Sequence, residues 1–161
     1  NVAGADPKGR TGQSSRRATH LIKIAAQAAL GQRDGMDVFG TDYPTPDGTC
    51  LRDYIHVSDL IEAHVLTLMH LMAGGDTFVA NAGYGRGFSV LEVIDAVKRV
   101  SGVDFPVRMA PRRAGDPPAL VADSTRLRSI TGWQPRLDNL DTIVAHALNW
   151  EKTLAKRNFK P

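Results

Sequence analysis

Two arginines and an aspartate have the types and the spacing to bind a phosphorylated ligand. Arg52 stands at the mouth of a strand candidate, behind a stiff loop that contains two prolines and a Pro-Asp-Gly turn. Arg113 lies in a second proline-stiffened loop, and Asp116 follows it in the same loop. An arginine fork binds phosphate through two parallel hydrogen bonds, and a carboxylate accepts from the vicinal hydroxyls of a ribose. On residue type alone, an ion pair of Arg52 with Asp53 or another carboxylate, and a solvated charged loop around Arg113, are the open alternatives.

Two further features could complete such a site. A helix that begins near His20 and Leu21 would present free backbone N–H groups, which are a ready anion site; the alternative is a plain helix cap. Phe39 and Tyr43 flank the entry to the long loop, and an aromatic face stacks on a nucleobase. The alternative for an isolated phenylalanine is the hydrophobic core.

Other reactive residue types assemble into no motif. His56 and His64 lie near Asp53 and Asp59 in the sequence, but their spacing matches no zinc motif and favours structural roles. The segment 81–87 contains G-x-G-x-G and lacks the Rossmann spacing G-x-G-x-x-G. We interpret it as a loop that leads to a helix cap at Ser89, and we predict no metal ligand in the chain.

Alternating helices and strands must position these residues. Hydrophobic periodicity and caps predict five helices: from Ala18 to Gly31, from Asp59 to Gly74-Gly75, from the Ser89 capping box to Gly102, from Ser124 to Gly132, and from Leu140 through Glu151. Strand candidates are Asp37–Phe39, Tyr54–Val57, Thr77–Asn81 and Pro106–Met109, with loops at Asp6–Ser15 and Ala110–Pro118. The alternation predicts an α/β fold.

Composition narrows the class of protein. The chain has 161 residues and a formal net charge of +3, which suits one domain, or part of a larger one, that binds an anionic small molecule. The sequence has no dense Lys/Arg block of the kind that binds nucleic acid. No apolar run is long enough to span a bilayer, and no signal peptide is visible. Cys50 is the only cysteine, so no internal disulfide forms and a reducing cytoplasm is expected. The first residue is Asn1 rather than methionine, and we expect a portion of a longer protein.

Several blocks of sequence together resemble a known family. They are "NVAGADPKGRTG", "THLIKIAAQAALG", "VFGTDYPTPDGTCLRDYIHVSDLIEAH", "NAGYGRGFSVLEVIDAV" and "RRAGDPPALVADSTRLRSITGWQP". In this order they resemble the carboxy-terminal half of the UDP-glucose 4-epimerases, which are extended short-chain dehydrogenases/reductases. The third block is the most specific of them.

The resemblance implies a fold and an activity. The chain would be the carboxy-terminal substrate-binding portion of an extended Rossmann-type α/β fold, as one region over residues 1–161, with residues 54–81 contributing elements to an absent Rossmann domain. The complete enzyme would interconvert UDP-galactose and UDP-glucose by NAD-mediated oxidation and reduction at C4 of the sugar. It would be a homodimer, and its amino-terminal half would hold most of the NAD site and a catalytic Tyr-x-x-x-Lys motif.

The resemblance also assigns roles to individual residues, by matching positions of the family motifs. Asn1 would contact the substrate, His20 and Leu21 the pyrophosphate and Phe39 the uracil. Arg52 and Arg113 would grip the UDP phosphates, and Asp116 would bind the ribose. Leu120 falls where family members set the size of the sugar pocket, and some of them carry tyrosine. The smaller leucine implies acceptance of UDP-N-acetylhexosamines.

The chain departs from the complete family pattern. It contains neither Tyr-x-x-x-Lys nor G-x-x-G-x-x-G, so we predict no catalytic residue, no cofactor-binding residue and no epimerase activity in the chain alone. Three alternatives stay open: a sibling nucleotide-sugar epimerase or dehydratase, a UDP-binding module without catalysis, and a basic nucleic-acid binder.

Overall fold

A computed structural model describes residues 1–15 and 17–158. Its helices are α1 (Leu21–Ala29), α2 (Val57–Met72), α3 (Val90–Ser101), α4 (Thr125–Thr131) and α5 (Leu140–Asn158). Its strands are β1 (Val2–Ala3), β2 (Met36–Phe39), β3 (Leu51–Arg52), β4 (Ile55–His56), β5 (Phe88–Ser89), β6 (Val107–Ala110) and β7 (Ala119–Leu120). The predicted α/β class is therefore confirmed.

Local signals explain where the helices begin and end. Ser89 caps α3 in a reciprocal capping box with Glu92, and α3 ends at Gly102, whose φ of 71° suits glycine. The side chain of His56 caps α2 by accepting from the N–H of Ser58, so α2 begins two residues before the predicted start at Asp59.

The strands form three small groups. β2 pairs in parallel with β6, and β1 pairs in parallel with β4. The third group has the order β5-β3-β7, in which β3 pairs antiparallel with β5 and parallel with β7. The four strands β1, β3, β5 and β7 were not predicted, because two-residue strands carry no periodic pattern.

Three helices build the main core. α1, α3 and α5 pack on one another through a continuous cluster that includes Ile22, Ile94, Val97, Ile143 and Val144. A smaller cluster joins α2 to α4 through Ala63, Leu127 and the fully buried Trp133. Burial of apolar area, at roughly 25 cal/mol per Å², is the main source of stability for these helix contacts.

The predicted strand Thr77–Asn81 does not form among the described residues of this chain. Within the described residues this segment pairs with no other strand. Its alternation is real, since Phe78 and Ala80 pack against the smaller core cluster while Val79 is 84% exposed. A strand also needs a neighbouring backbone for its ladder of hydrogen bonds, and the periodicity of one segment says nothing about that neighbour.

Candidate functional site

One cleft collects most of the predicted binding residues. It has a volume of about 310 Å³, and its lining includes Asn1, Leu21, Phe39, Arg52, Arg113 and Asp116. Five further residues on its wall are Arg33, Asp37, Cys50, Tyr54 and Arg108. Four arginines and two aspartates thus face the cleft, so the charge balance of these side chains favours an anionic ligand.

Arg52 is held in a fixed orientation. Its Nη1 donates to the carbonyls of Leu51 at 2.8 Å and Pro117 at 2.9 Å, and its Nη2 donates to Oδ1 of Asp116 at 3.1 Å. A guanidinium has five N–H groups, so two are left for a ligand once these three bonds are made with the described residues. The Arg52 side chain is 13% exposed, which limits the entropy that it loses on binding.

The loop before Arg52 is stiffened by its own hydrogen bonds. Asp47 accepts from the N–H and the hydroxyl of Thr49, each at 2.8 Å, and Thr45 donates to the Thr49 carbonyl at 2.7 Å. Asp47 also accepts from the hydroxyl of Ser89, the cap of α3. Gly48 has a φ of 79°, and an added Cβ there would lie 2.1 Å from a backbone oxygen. These contacts order the entry to β3.

Asp53, the neighbour of Arg52, has a different partner from the one considered in the sequence. Its buried carboxylate accepts from the backbone N–H groups of Tyr84 at 3.1 Å, Gly85 at 2.9 Å and Ala122 at 3.4 Å. The ion pair of Arg52 is made with Asp116 instead. Asp53 therefore links the glycine-rich loop 81–87 and the residues just after β7 to the segment that follows Arg52.

Arginines cover the two aromatic residues at the loop entrance. The guanidinium of Arg113 lies over the Phe39 ring, 3.7 Å from its centroid, and that of Arg112 lies over Tyr43 at 4.1 Å. Phe39 is half-buried on the cleft wall, whereas Tyr43 is buried in the core. Contacts of this kind orient the guanidinium and leave its N–H edge available for hydrogen bonds.

Two predicted site residues lie outside this cleft. His20 precedes α1 with an extended backbone, and its Nδ1 lies 2.7 Å from the side-chain nitrogen of Gln13. It lines a neighbouring small pocket together with Asn1 and Leu21. Leu120 pairs with Arg52 in the β3–β7 register, and 62% of it is exposed.

A largely buried polar network outside the lining of the cleft was missed in the sequence. The Tyr84 hydroxyl donates to Oδ2 of Asp59 at 2.6 Å and accepts from the N–H of His56 at 3.0 Å. Burial and the bond to Asp59 raise the pKa of Tyr84 far above its usual range. Next to it, Nε2 of His56 lies 2.9 Å from Nδ1 of His146. No sequence signal joins these residues, because their separations of 25 to 90 positions are set by the fold.

Tyr54 lies on the wall of the cleft and is buried. Burial raises the pKa of Tyr54 far above its usual range, so its phenol stays protonated near neutral pH.

Among residues 1–15 and 17–158, no three His, Cys, Asp or Glu side chains are placed to share a metal ion. Within the same residues, no helix has the length and apolar character needed to cross a bilayer.

Comparison with known proteins identifies the family. Residues 1–83 match the model of the NAD dependent epimerase/dehydratase family. The chain is 60% identical over 154 residues to the UDP-glucose 4-epimerase of Azospirillum brasilense, which covers 96% of this chain and 44% of that protein.

Solved structures give the same result. A UDP-glucose 4-epimerase from Bifidobacterium longum in complex with NAD⁺ and UDP is 39% identical with a TM-score of 0.88, over 95% of this chain and 45% of that one. The UDP-Glc/GlcNAc 4-epimerase from Campylobacter jejuni is 52% identical with a TM-score of 0.79, over 94% and 46%. The resemblance to UDP-glucose 4-epimerases is confirmed, and the chain spans about half the length of these relatives.

Proposed function

Since this chain belongs to the NAD dependent epimerase/dehydratase family, we propose that it is the UDP-sugar-binding portion of a UDP-glucose 4-epimerase. The complete protein interconverts UDP-galactose and UDP-glucose by oxidation and reduction at C4 of the sugar. The observation that carries the proposal is the cleft in which Arg52 and Arg113, from two separate loops, lie with Phe39 and Asp116. Two guanidiniums suit a pyrophosphate, and a carboxylate and an aromatic ring suit a nucleoside.

The residues of this chain bind and orient the nucleotide. Arg52 offers its two free N–H groups to the phosphates, and Arg113 approaches them from above Phe39. Oδ1 of Asp116 accepts from Arg52, so Oδ2 is the carboxylate oxygen that accepts from the ribose hydroxyls. Asn1 and Leu21 line the same cleft, and His20 lies beside it. Binding energy from the non-reacting UDP is thereby used to position the reacting sugar.

We propose that the residues of this chain do not by themselves make a dinucleotide site. The segment 81–87 lacks the required glycine spacing, and its Tyr84 and Gly85 N–H groups already donate to Asp53. When bound, NAD supplies hydride acceptance and return, and we propose that a part of the protein outside this chain holds it. We also propose that the same part carries the Tyr-x-x-x-Lys motif, so this chain alone has no epimerase activity.

Calorimetry with UDP tests the binding role. Arg52→Ala should weaken UDP affinity by about 2 kcal/mol, because a charge-assisted hydrogen bond contributes roughly that much. Arg86→Ala is the control, since Arg86 also pairs with an aspartate, Asp138, but does not line the cleft. Unchanged UDP affinity in Arg52→Ala, or no binding of UDP by the wild-type chain, would contradict the proposal.

We propose that residues 54–81 complete a sheet in the longer protein. Ile61, Val65, Leu68 and Met72 recur at helical spacing along one face of α2, and all four are exposed. β1 and β4 form a two-stranded parallel sheet, although parallel sheets are normally larger and covered on both faces. The segment Thr77–Asn81, which pairs with no strand among the described residues, would supply a further backbone for this sheet.

Co-expression with the amino-terminal remainder of the gene product tests this arrangement. The two pieces should copurify, and Leu68→Glu should abolish copurification because it places a charge on the apolar face of α2. Val103→Glu is the control, since Val103 is exposed in the loop after α3. Equal copurification of the two variants would contradict the proposal.

We propose that the complete protein also accepts UDP-N-acetylhexosamines. Leu120 is exposed beside Arg52, and leucine leaves more space there than tyrosine. A similar protein is named a UDP-Glc/GlcNAc 4-epimerase. In the complete protein, Leu120→Tyr should lower turnover of the N-acetylated sugar selectively; equal loss for both sugars would count against this role.

We further propose a cytoplasmic homodimer that binds no nucleic acid. Light scattering of the complete protein tests the dimer. A DNA-binding assay at several salt concentrations tests the absence of nucleic-acid binding. A basic nucleic-acid binder would show an affinity for DNA that falls steeply with salt, and we expect no such binding.

A further inference from the structure

Residues 111–118 form the loop from which Arg113 reaches the cleft, and both ends of this loop are tied to strands. At its start, the N–H of Gly40 donates to the carbonyl of Ala110 at 2.9 Å, next to the last pair of the β2–β6 register. At its end, the carbonyl of Pro118 accepts from the first N–H of β3 at 2.8 Å. Arg113 lies between these two attachments, so the direction of its side chain depends on how the first half of the loop is held.

Arg112 holds the first half of the loop through three contacts with two consecutive residues. Its Nε donates to Oδ1 of Asp42 at 2.6 Å, and its Nη2 donates to the Asp42 carbonyl. Its guanidinium lies over the ring of Tyr43, 4.1 Å from the centroid. Tyr43 is 5% exposed and its N–H donates to the carbonyl of Gly48 at 2.9 Å, so the ring is held in place. Arg112 therefore joins its loop to the ordered loop that precedes Arg52.

The packing around Arg112 leaves its stem little room. Gly40 has a φ of 82°, and an added Cβ there would clash with the Tyr43 ring and lie 2.7 Å from Cγ of Arg112. Glycine at this position lets the arginine stem, the ring and the end of β2 come together. Arg112 itself does not line the cleft, whereas its neighbour Arg113 does and lies over Phe39.

We infer that Arg112 is a positioning residue, which directs Arg113 toward the phosphates of the nucleotide without touching them. This inference rests on the proposed UDP-binding role of the cleft. With the loop held in this way, the guanidinium of Arg113 stays over Phe39 and its N–H edge is available for hydrogen bonds. A loop released from Asp42 would have to be ordered when the nucleotide binds, and that ordering would weaken binding.

The charge of Asp42 separates positioning from simple electrostatics. Removal of a negative charge near an anion site strengthens binding if Asp42 acts only through the electrostatic field. Loss of its contact with Arg112 has the opposite effect. We expect Asp42→Ala to weaken UDP binding about fivefold, the size expected when one long side chain must be ordered on binding. Asp42→Asn loses the same charge but keeps an oxygen that accepts from Arg112, so its affinity should stay within about twofold of the wild type.

A double-mutant cycle tests whether Arg112 acts through Arg113. Arg112→Ala alone should weaken UDP binding about fivefold. In the background of Arg113→Ala the same change should have almost no effect, because the side chain that Arg112 positions is gone. An arginine that contacts the phosphates itself would give the same loss in both backgrounds.

Isothermal titration calorimetry of the complete protein with UDP measures these affinities, and thermal melting of each variant verifies that the fold is retained. The melting temperatures should change little, because exposed ion pairs contribute little to stability, and 43% of the Arg112 side chain and 74% of the Asp42 side chain are exposed. Arg99→Ala and Asp141→Ala are the controls, because that ion pair is also exposed and neither residue lines the cleft. Both control variants should bind UDP as tightly as the wild type.

The outcomes separate this inference from the proposed function. Failure of the wild-type complete protein to bind UDP overturns the proposed function and the positioning role with it. If the wild-type protein binds UDP, unchanged or tighter binding in Asp42→Ala overturns the positioning role and leaves the UDP site intact. Equal affinities of Asp42→Ala and Asp42→Asn also overturn it, as does a full effect of Arg112→Ala in the Arg113→Ala background.

Discussion

The buried His56–His146 pair predicts that the chain loses stability when the pH falls from 7.5 to 5. His56 is fully buried, and its Nδ1 accepts from the N–H of Ser58 at 3.0 Å. Nε2 must then carry the proton, and it donates to Nδ1 of His146 at 2.9 Å. A second proton on His56 would remove the acceptor that caps α2.

The groups around His56 act on its charge in opposite directions. Burial disfavours the imidazolium most strongly, and His146 adds to this effect. Asp59 favours the charged form, but its carboxylate already accepts from Tyr84, Arg136 and Leu137. The net effect lowers the pKa of His56 from 6.5 to about 4.

The sign and the size of the effect follow from linkage. Between pH 6.5 and 4 the unfolded chain binds a proton at His56 that the folded chain does not bind, so acid favours unfolding. Each pH unit in this window costs at most about 1.4 kcal/mol. The free energy of unfolding should therefore fall by about 2 kcal/mol between pH 7.5 and 5 from this residue alone.

Urea unfolding at several pH values, followed by circular dichroism, measures this loss. His56→Gln should be less stable at pH 7.5 and should show a pH dependence smaller by about 2 kcal/mol over the same range. His64→Gln is the control, because His64 lies on the same helix but is exposed and takes no part in the His56–His146 contact. If His56→Gln keeps the wild-type slope, His56 is not the group that couples stability to pH.

Three other perturbations test the packing around the site, each by urea unfolding. Lys23→Met should cost about 3–5 kcal/mol, because it leaves the buried Glu151 carboxylate without its partner at 2.7 Å, and Lys23→Met/Glu151→Leu should recover part of that loss. Asp59→Ala should cost about 3 kcal/mol, since three donors lose their acceptor. Gly12→Ala should cost about 1–3 kcal/mol, because its Cβ would lie 2.5 Å from the Trp150 ring. No loss of stability in any one of these variants would contradict the contact that it tests.

The helices could be predicted from the sequence because their signals are local. The capping box of Ser89 and Glu92, and the glycines at the ends of α3 and α4, lie within a few residues of the ends that they set. The pairing of short strands depends on segments far apart in the chain. β3 pairs with β7 across more than 60 residues, so no local window could find it.

The residues of the site also differ in how far local sequence could predict them. Arg52, Arg113 and Asp116 carry their chemistry in their residue types, but it was the family resemblance that predicted one shared site for them, and all three line one cleft. The exposure of Leu120 and the position of His20 outside that cleft depend on which way each short segment turns.

The adjacency of Arg52 and Asp53 has a physical consequence for binding. Successive side chains in an extended chain point to opposite sides, so the two residues cannot serve the same face. Arg52 faces the cleft, whereas Asp53 faces inward and accepts three backbone N–H groups from loops far away in the sequence. The inward aspartate thus fixes the backbone that carries the outward arginine. Because these hydrogen bonds within the chain already fix that backbone, the phosphate binding that we propose for Arg52 would involve little loss of conformational entropy.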